Sequence, residues 1–150
     1  MNTKGLELAV SKFALGLLGS EGLPQIAAEW LEHGRDTPSL RVLAGLNASE
    51  LEDAPSLFQA VLSELNVLVP GKWDAVMRLA REIAVDILAG STSAYQGATQ
   101  IWELTLRALD EELTELDTFV YGASEWNERP GDRGAFEEGI VAAARDLAKD

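Results

Sequence analysis

Residues 73–89 read WDAVMRLAREIAVDILA, and this stretch decides the fold class. Among Trp73, Val76, Met77, Leu79, Ala80, Ile83, Ala84, Ile87 and Leu88, each residue finds another three or four positions away. Wound as a helix, they make more than half the circumference apolar, the mark of a helix at the centre of a helical fold. Arg78 with Glu82, and Arg81 with Asp86, occupy the remaining strip, where they can be satisfied locally. Gly90 ends the run.

The same periodicity extends to both sides. A first helix covers about residues 6–18, with Leu6, Val10, Phe13, Leu17 and Leu18 on one side. The glycines at 19 and 22 break it. A second runs from Pro24, suited to a first helical turn, to Gly34, and Thr37-Pro38 opens a short third over 39–44. Ser49 and Glu52 have capping-box spacing, and Pro55 follows them. Either Pro55 kinks one continuous helix, or a short turn precedes a helix beginning near Ala54; the second arrangement is favoured because proline disrupts a helix interior. After Gly90, Ser91 or Ser93 caps a helix carrying Tyr95, Ile101, Trp102 and Leu106, and Gly97-Ala98 marks a close helix contact within it. A helix is expected over 110–126. The turn Arg129-Pro130-Gly131 leads to a last helix from Asp132 or Arg133, with Phe136, Ile140, Ala143, Ala144 and Leu147 inward. Seven or eight helices in an all-α bundle, forming a single domain over 1–150, are expected, with no sheet for a doubly wound cofactor site.

Composition narrows function by exclusion. A hydrophobic fraction of 47% and a charged fraction of 25% are those of a folded chain. There is no cysteine, so no thiolate nucleophile, disulfide or cysteine-based metal site. The N-terminal stretch from Met1 is interrupted by Glu7, Ser11 and Lys12 and does not resemble a signal peptide, which points to the cytoplasm. No run reaches the roughly 20 apolar residues that span a bilayer. A net charge of −13 opposes nucleic acid and anionic lipid and favours basic partners.

That charge is concentrated. Between Glu103 and Glu128 stand eight carboxylates and one base, Arg107, a net −7. In the expected acidic helix, Leu109, Leu113, Leu116, Val120 and Ala123 form the inward stripe, with Phe119 and Trp126 widening it. The opposite flank gathers Asp110, Asp117, Tyr121 and Glu125, with Glu128 just beyond. A tyrosine between carboxylates suits recognition of a basic group, since the ring gives contact area and a cation–π face. The plainer reading is that Asp110, Glu111 and Glu112 start a helix and interact with its dipole, the rest being a solvated face.

Catalytic constellations are missing. The acids sit on the outside of an amphipathic helix, whereas acid–base or metal chemistry needs them turned into a pocket. Di-iron bundles require Glu-x-x-His pairs, and the lone histidine, His33, is preceded at that spacing by Trp30. His33 ends a helix, where capping is the natural role. No cofactor or metal is expected. Trp30, Trp73, Trp102 and Trp126 sit on apolar phases, and Arg41, Arg129 and Arg133 are the bases expected to pair with the acidic helix.

The segment from Thr37 to Leu46, Ile87-Leu88-Ala89-Gly90 with Tyr95-Gln96-Gly97-Ala98, and Ala123-Ser124-Glu125-Trp126 leading to Arg133 together resemble a family of small all-helical bacterial proteins. The resemblance implies a helical single domain and carries no activity or site residue. The expectation for function is a non-enzymatic protein-binding domain, such as an inhibitor or immunity protein that blocks a basic nuclease or other toxin. The alternative is a small-ligand binder or enzyme with a pocket between helices, lined by Trp102, Tyr95 and Trp73, with Arg41 or Arg78 as an anion clamp.

Overall fold

A computed structural model of the chain describes residues 3–149. Met1 and Asn2, which begin the stretch read for a signal peptide, and Asp150 lie outside the described residues. Among those described there are eight α-helices and no strand: α1 (Thr3–Ala14), α2 (Leu23–Glu32), α3 (Pro38–Ala44), α4 (Ala54–Glu64), α5 (Lys72–Ala89), α6 (Ala94–Thr105), α7 (Asp117–Glu125) and α8 (Arg133–Ala148). The fold is all-α. No helix among them is long and apolar enough to cross a membrane. The chain gathers into two compact units, one ending at Pro70 and the other beginning at Gly71.

In the first unit α3 packs on α2 and α4. Its core joins Leu6 and Val10 of α1, Leu23, Ala27 and Trp30 of α2, Leu40 and Leu43 of α3, and Phe58, Val61 and Leu62 of α4. Phe58 is fully buried, with Phe13 at 4.7 Å and Trp30 at 5.5 Å between ring centroids. Aromatic rings at such separations and tilts gain beyond their buried area. α1 stops at Ala14, four residues short of the expected end, because Gly16 turns the chain with φ of +70°. The buried Thr37 caps α3 by accepting the N–H of Leu40 at 3.1 Å, and Pro38 occupies the first turn.

Before α4 a 3-10 turn spans Ala48–Asp53, and the helix proper begins at Ala54. The two-part arrangement holds here, but the cap lies elsewhere. Asn47 accepts from the N–H of Ser49 while Glu50 accepts from the N–H of Asn47, so the reciprocal pair is Asn47 with Glu50, not Ser49 with Glu52. Asparagine is among the best N-cap residues and wins the position.

In the second unit α5 packs on α6 and α8, and α7 on α6 and α8. The wide apolar surface of α5 is used: Ala75, Val76, Met77, Leu79, Ala80, Ala84 and Ile87 are buried. Gly90 adopts φ of +78° and closes the helix, as a residue without a side chain can. Ser93, not Ser91, caps α6. The expected close contact at Gly97 is there: a Cβ at this position would lie 2.5 Å from both Cγ1 and Cδ1 of Ile87. A second close approach joins α7 to α8, where a Cβ on Gly122 would lie 2.9 Å from Cδ1 of Ile140.

The acidic helix is shorter than its leucine spacing implied. Residues 106–113 are turns and irregular chain, a 3-10 turn covers Thr114–Leu116, and α7 begins only at Asp117. Leu109 is 79% exposed and contributes nothing to an inward stripe. The physical cause is electrostatic as well as apolar: a helix through this segment would bring Glu111 and Glu112 onto Glu115 at spacings of four and three, repulsions that the single base there, Arg107 four residues before Glu111, offsets only in part.

Candidate acidic interaction surface

The change of helix start separates the acids into two groups. Asp110 is off the helix, in the turn after α6, where its carboxylate meets Lys72 Nζ at 3.5 Å. It therefore does not share a strip with Tyr121. Asp110, Glu111 and Glu112 do not occupy a helical first turn either, so the dipole account of them fails; Asp117 holds that position in α7. Leu106 and Leu109, 55% and 79% exposed, stand beside these acids.

On α7 the spacing of four survives. Asp117 and Tyr121 are exposed, Glu125 is half-buried at the last helical position, and Glu128 is exposed in the turn that follows. Asp117, Glu125 and Glu128 make no ion pair among the described residues. Tyr121 is engaged by the chain's own base: Arg129 Nη1 donates to the tyrosine hydroxyl at 2.7 Å. The same guanidinium pairs with Asp132 at 2.7 Å and lies 5.6 Å from the centre of the Phe136 ring. Phe136 meets Tyr121 edge to face at 5.6 Å. Asp132 first, then Tyr121, holds the Arg129 pKa above its ordinary value, so this base stays charged.

Arg133 closes the other end. Its Nε donates to the Trp126 carbonyl at 2.8 Å and its guanidinium lies 5.4 Å over the Trp126 ring. Trp126, half-buried, stacks in turn on Tyr95 of α6 at 4.9 Å. Arginine, indole and phenol thus tie the starts of α6 and α8 to the end of α7. Of the three bases expected to pair with the acidic helix, none pairs with a carboxylate of α7. The Arg129 side chain reaches its tyrosine, Arg133 reaches the carbonyl and ring of Trp126 and the Asn127 side-chain oxygen beyond its end, and Arg41 pairs with Asp36 at 2.7 Å in the first unit.

Other candidates fall into place. His33 Nδ1 lies 2.7 Å from the Glu29 carbonyl oxygen at the end of α2, a capping contact. Trp30 is buried, whereas Trp73, Trp102 and Trp126 are half-buried. Among the described residues no group of three or more histidines and acids could hold a metal ion. Trp73, Met77 and Arg81 of α5 line a cleft of about 350 Å³ with Glu115, Thr118, Ala143, Asp146 and Leu147; Tyr95 and Trp102 are not among the residues that line it. Arg81, expected to be satisfied beside Asp86, has a buried Nε with no hydrogen-bond partner among the described residues. The spacing of Trp73, Met77 and Arg81, four and four, was visible in the sequence; the opposing wall was not.

No family model, curated protein or solved structure matches the chain.

Proposed function

We propose that this chain is a non-enzymatic, acidic protein-binding domain that docks a basic protein partner, in the manner of a cytoplasmic inhibitor or immunity protein that covers a basic nuclease or other toxin. One observation carries the reading: Asp117, Glu125 and Glu128 leave their carboxylates without a base around the half-exposed Tyr121. Such an arrangement accepts arginine or lysine from outside at low desolvation cost and speeds encounter through complementary fields. Leu106 and Leu109 add apolar contact area beside Glu111 and Glu112, a combination that favours a protein over a simple ion.

Retention of a basic protein from lysate of the source cells tests the proposal, comparing wild type with Asp117→Lys combined with Glu125→Lys. A partner held by wild type, released as salt rises through the range where the Debye length shrinks below about 10 Å, and not held by the variant is the expected result. Equal retention and equal salt dependence for both proteins would remove the reading.

A further inference from the structure

The cleft of the second unit lies outside the acidic surface, and its lining has a chemistry of its own. Trp73, Met77 and Arg81 project from successive turns of α5; Glu115 and Thr118 come from the approach to α7 and its first turn; Ala143, Asp146 and Leu147 come from α8. At about 350 Å³ it falls at the small end of the range of ligand sites. Its walls divide into an apolar part, Trp73, Met77 and Leu147, and a charged part of both signs.

Arg81 is the informative residue. Its Nε is buried and has no partner among the described residues, although two carboxylates line the same cleft. Asp146 is engaged with Lys149 at 3.8 Å, and Glu115 takes a hydrogen bond from Thr114, so neither serves Arg81. A buried donor left unpaired is costly, and a planar guanidinium is shaped to bind a carboxylate through two parallel hydrogen bonds.

The signs of the lining charges decide between ligand classes. A simple organic anion attracted by Arg81 also meets Glu115 and Asp146. A simple cation attracted by those acids meets Arg81. Only a ligand carrying both charges is complementary to the whole lining, and the apolar wall requires that it also carry an apolar group. We infer that this cleft binds a small zwitterion of the amino-acid class with an apolar side chain: carboxylate on Arg81, ammonium toward Glu115 and Asp146, side chain on Trp73 and Met77.

The inference is independent of the acidic docking surface and is tested on the intact chain by calorimetry and by the nitrogen–proton spectrum of the Trp73 indole. The probes are L-leucine and L-phenylalanine, with N-acetyl-L-leucine lacking the cation and L-leucinamide lacking the anion. Saturable binding of a free amino acid is expected, with a shift of the Trp73 signal. Each capped analogue should bind about tenfold or more weakly, the loss of one charged hydrogen-bonding group. Arg81→Met should abolish binding, and circular dichroism shows whether that variant folds. Glu115→Gln changes an exposed residue and gives a second reading: it should weaken leucine, which loses the partner of its ammonium, and tighten N-acetyl-leucine, which loses a repulsion. No binding of either amino acid at about 10 mM, a concentration that reveals dissociation constants up to about that value, overturns the inference. So does leucinamide binding as tightly as leucine. Retention of a basic protein through Asp117 and Glu125 is unaffected by either outcome.

Discussion

Arg129 donates to the hydroxyl of Tyr121 at 2.7 Å, so the aromatic residue at the middle of the acidic strip already holds a cation from its own chain. This contact sets a limit on what the strip offers a partner: the ring edge and the carboxylates are open, the hydroxyl is not. Arg129→Gln should free the hydroxyl and make the surface more acidic by one charge. The side chains of Arg129 and Asp132 are about half exposed and screened by solvent, so urea unfolding should show little loss of stability. Retention of a basic partner should rise at low salt, and an unchanged or weaker retention would show that Arg129 is itself part of the contact.

Gly97 and Ile87 supply a sharper test of packing. An added methyl on Gly97 would meet two carbons of Ile87 at 2.5 Å and Cγ2 of Ile83 at 3.4 Å. Replacing a helical glycine by alanine ordinarily stabilises by about 1 kcal/mol. Here the overpacking, about 1–3 kcal/mol, should reverse the sign. Gly97→Ala should lower the urea midpoint, and Ile87→Ala should relieve part of that cost in the double variant. The cycle gives the coupling directly. A stabilised Gly97→Ala would mean that the helices separate at no cost.

These two contacts also mark what the sequence could and could not disclose. Gly97 was readable, because a glycine inside a strong helical pattern needs a packing reason, and so were Pro24, Pro38, Gly90 and Pro130, whose effects act on the backbone next to them. The start of α7 was not. Leu109, Leu113 and Leu116 fit a helix as well as they fit a turn, and only the exposed position of Leu109 and the reach of Lys72 to Asp110 distinguish the two. Tyr121 was placed on the correct face of its helix, yet its occupant, eight residues along, depends on how the chain turns at Pro130. The cleft was half visible for the same reason: one helix writes Trp73, Met77 and Arg81, while Glu115 and Asp146 arrive by tertiary folding.

Glu64 should make the first unit sensitive to acid. Its carboxylate, at the end of α4, accepts from both the N–H and the hydroxyl of Ser39 at the start of α3. Hydrogen bonding by the Ser39 side chain first, then Thr37, holds its pKa below the ordinary value of 4.5. The unfolded chain takes up this proton at higher pH than the folded one. The contribution is therefore complete above pH 4.5 and disappears as the pH falls through the lowered folded value. Glu64→Gln should be less stable than wild type near neutrality, and the difference should shrink as pH drops below 4.5, measured by denaturant titration at each pH. A constant difference across that range would show that the charge contributes nothing.

Two helix caps of the same kind should differ in strength because their surroundings differ. Thr37 accepts from the N–H of Leu40, and Ser93 accepts from the N–H of Gln96, each at 3.1 Å. Ser93 is exposed, so water can serve the Gln96 amide when the hydroxyl is removed, and Ser93→Ala should cost about 0.5–1 kcal/mol. Thr37 is 6% exposed and Leu40 is fully buried. Thr37→Ala leaves that amide without a partner or ready access to water, and it removes a hydroxyl that also holds down the Glu64 pKa. Its cost should approach about 2 kcal/mol, at the upper end for a lost cap. Chemical denaturation of the two variants side by side gives the comparison, and equal losses would mean that burial of the α3 start does not govern the strength of its cap.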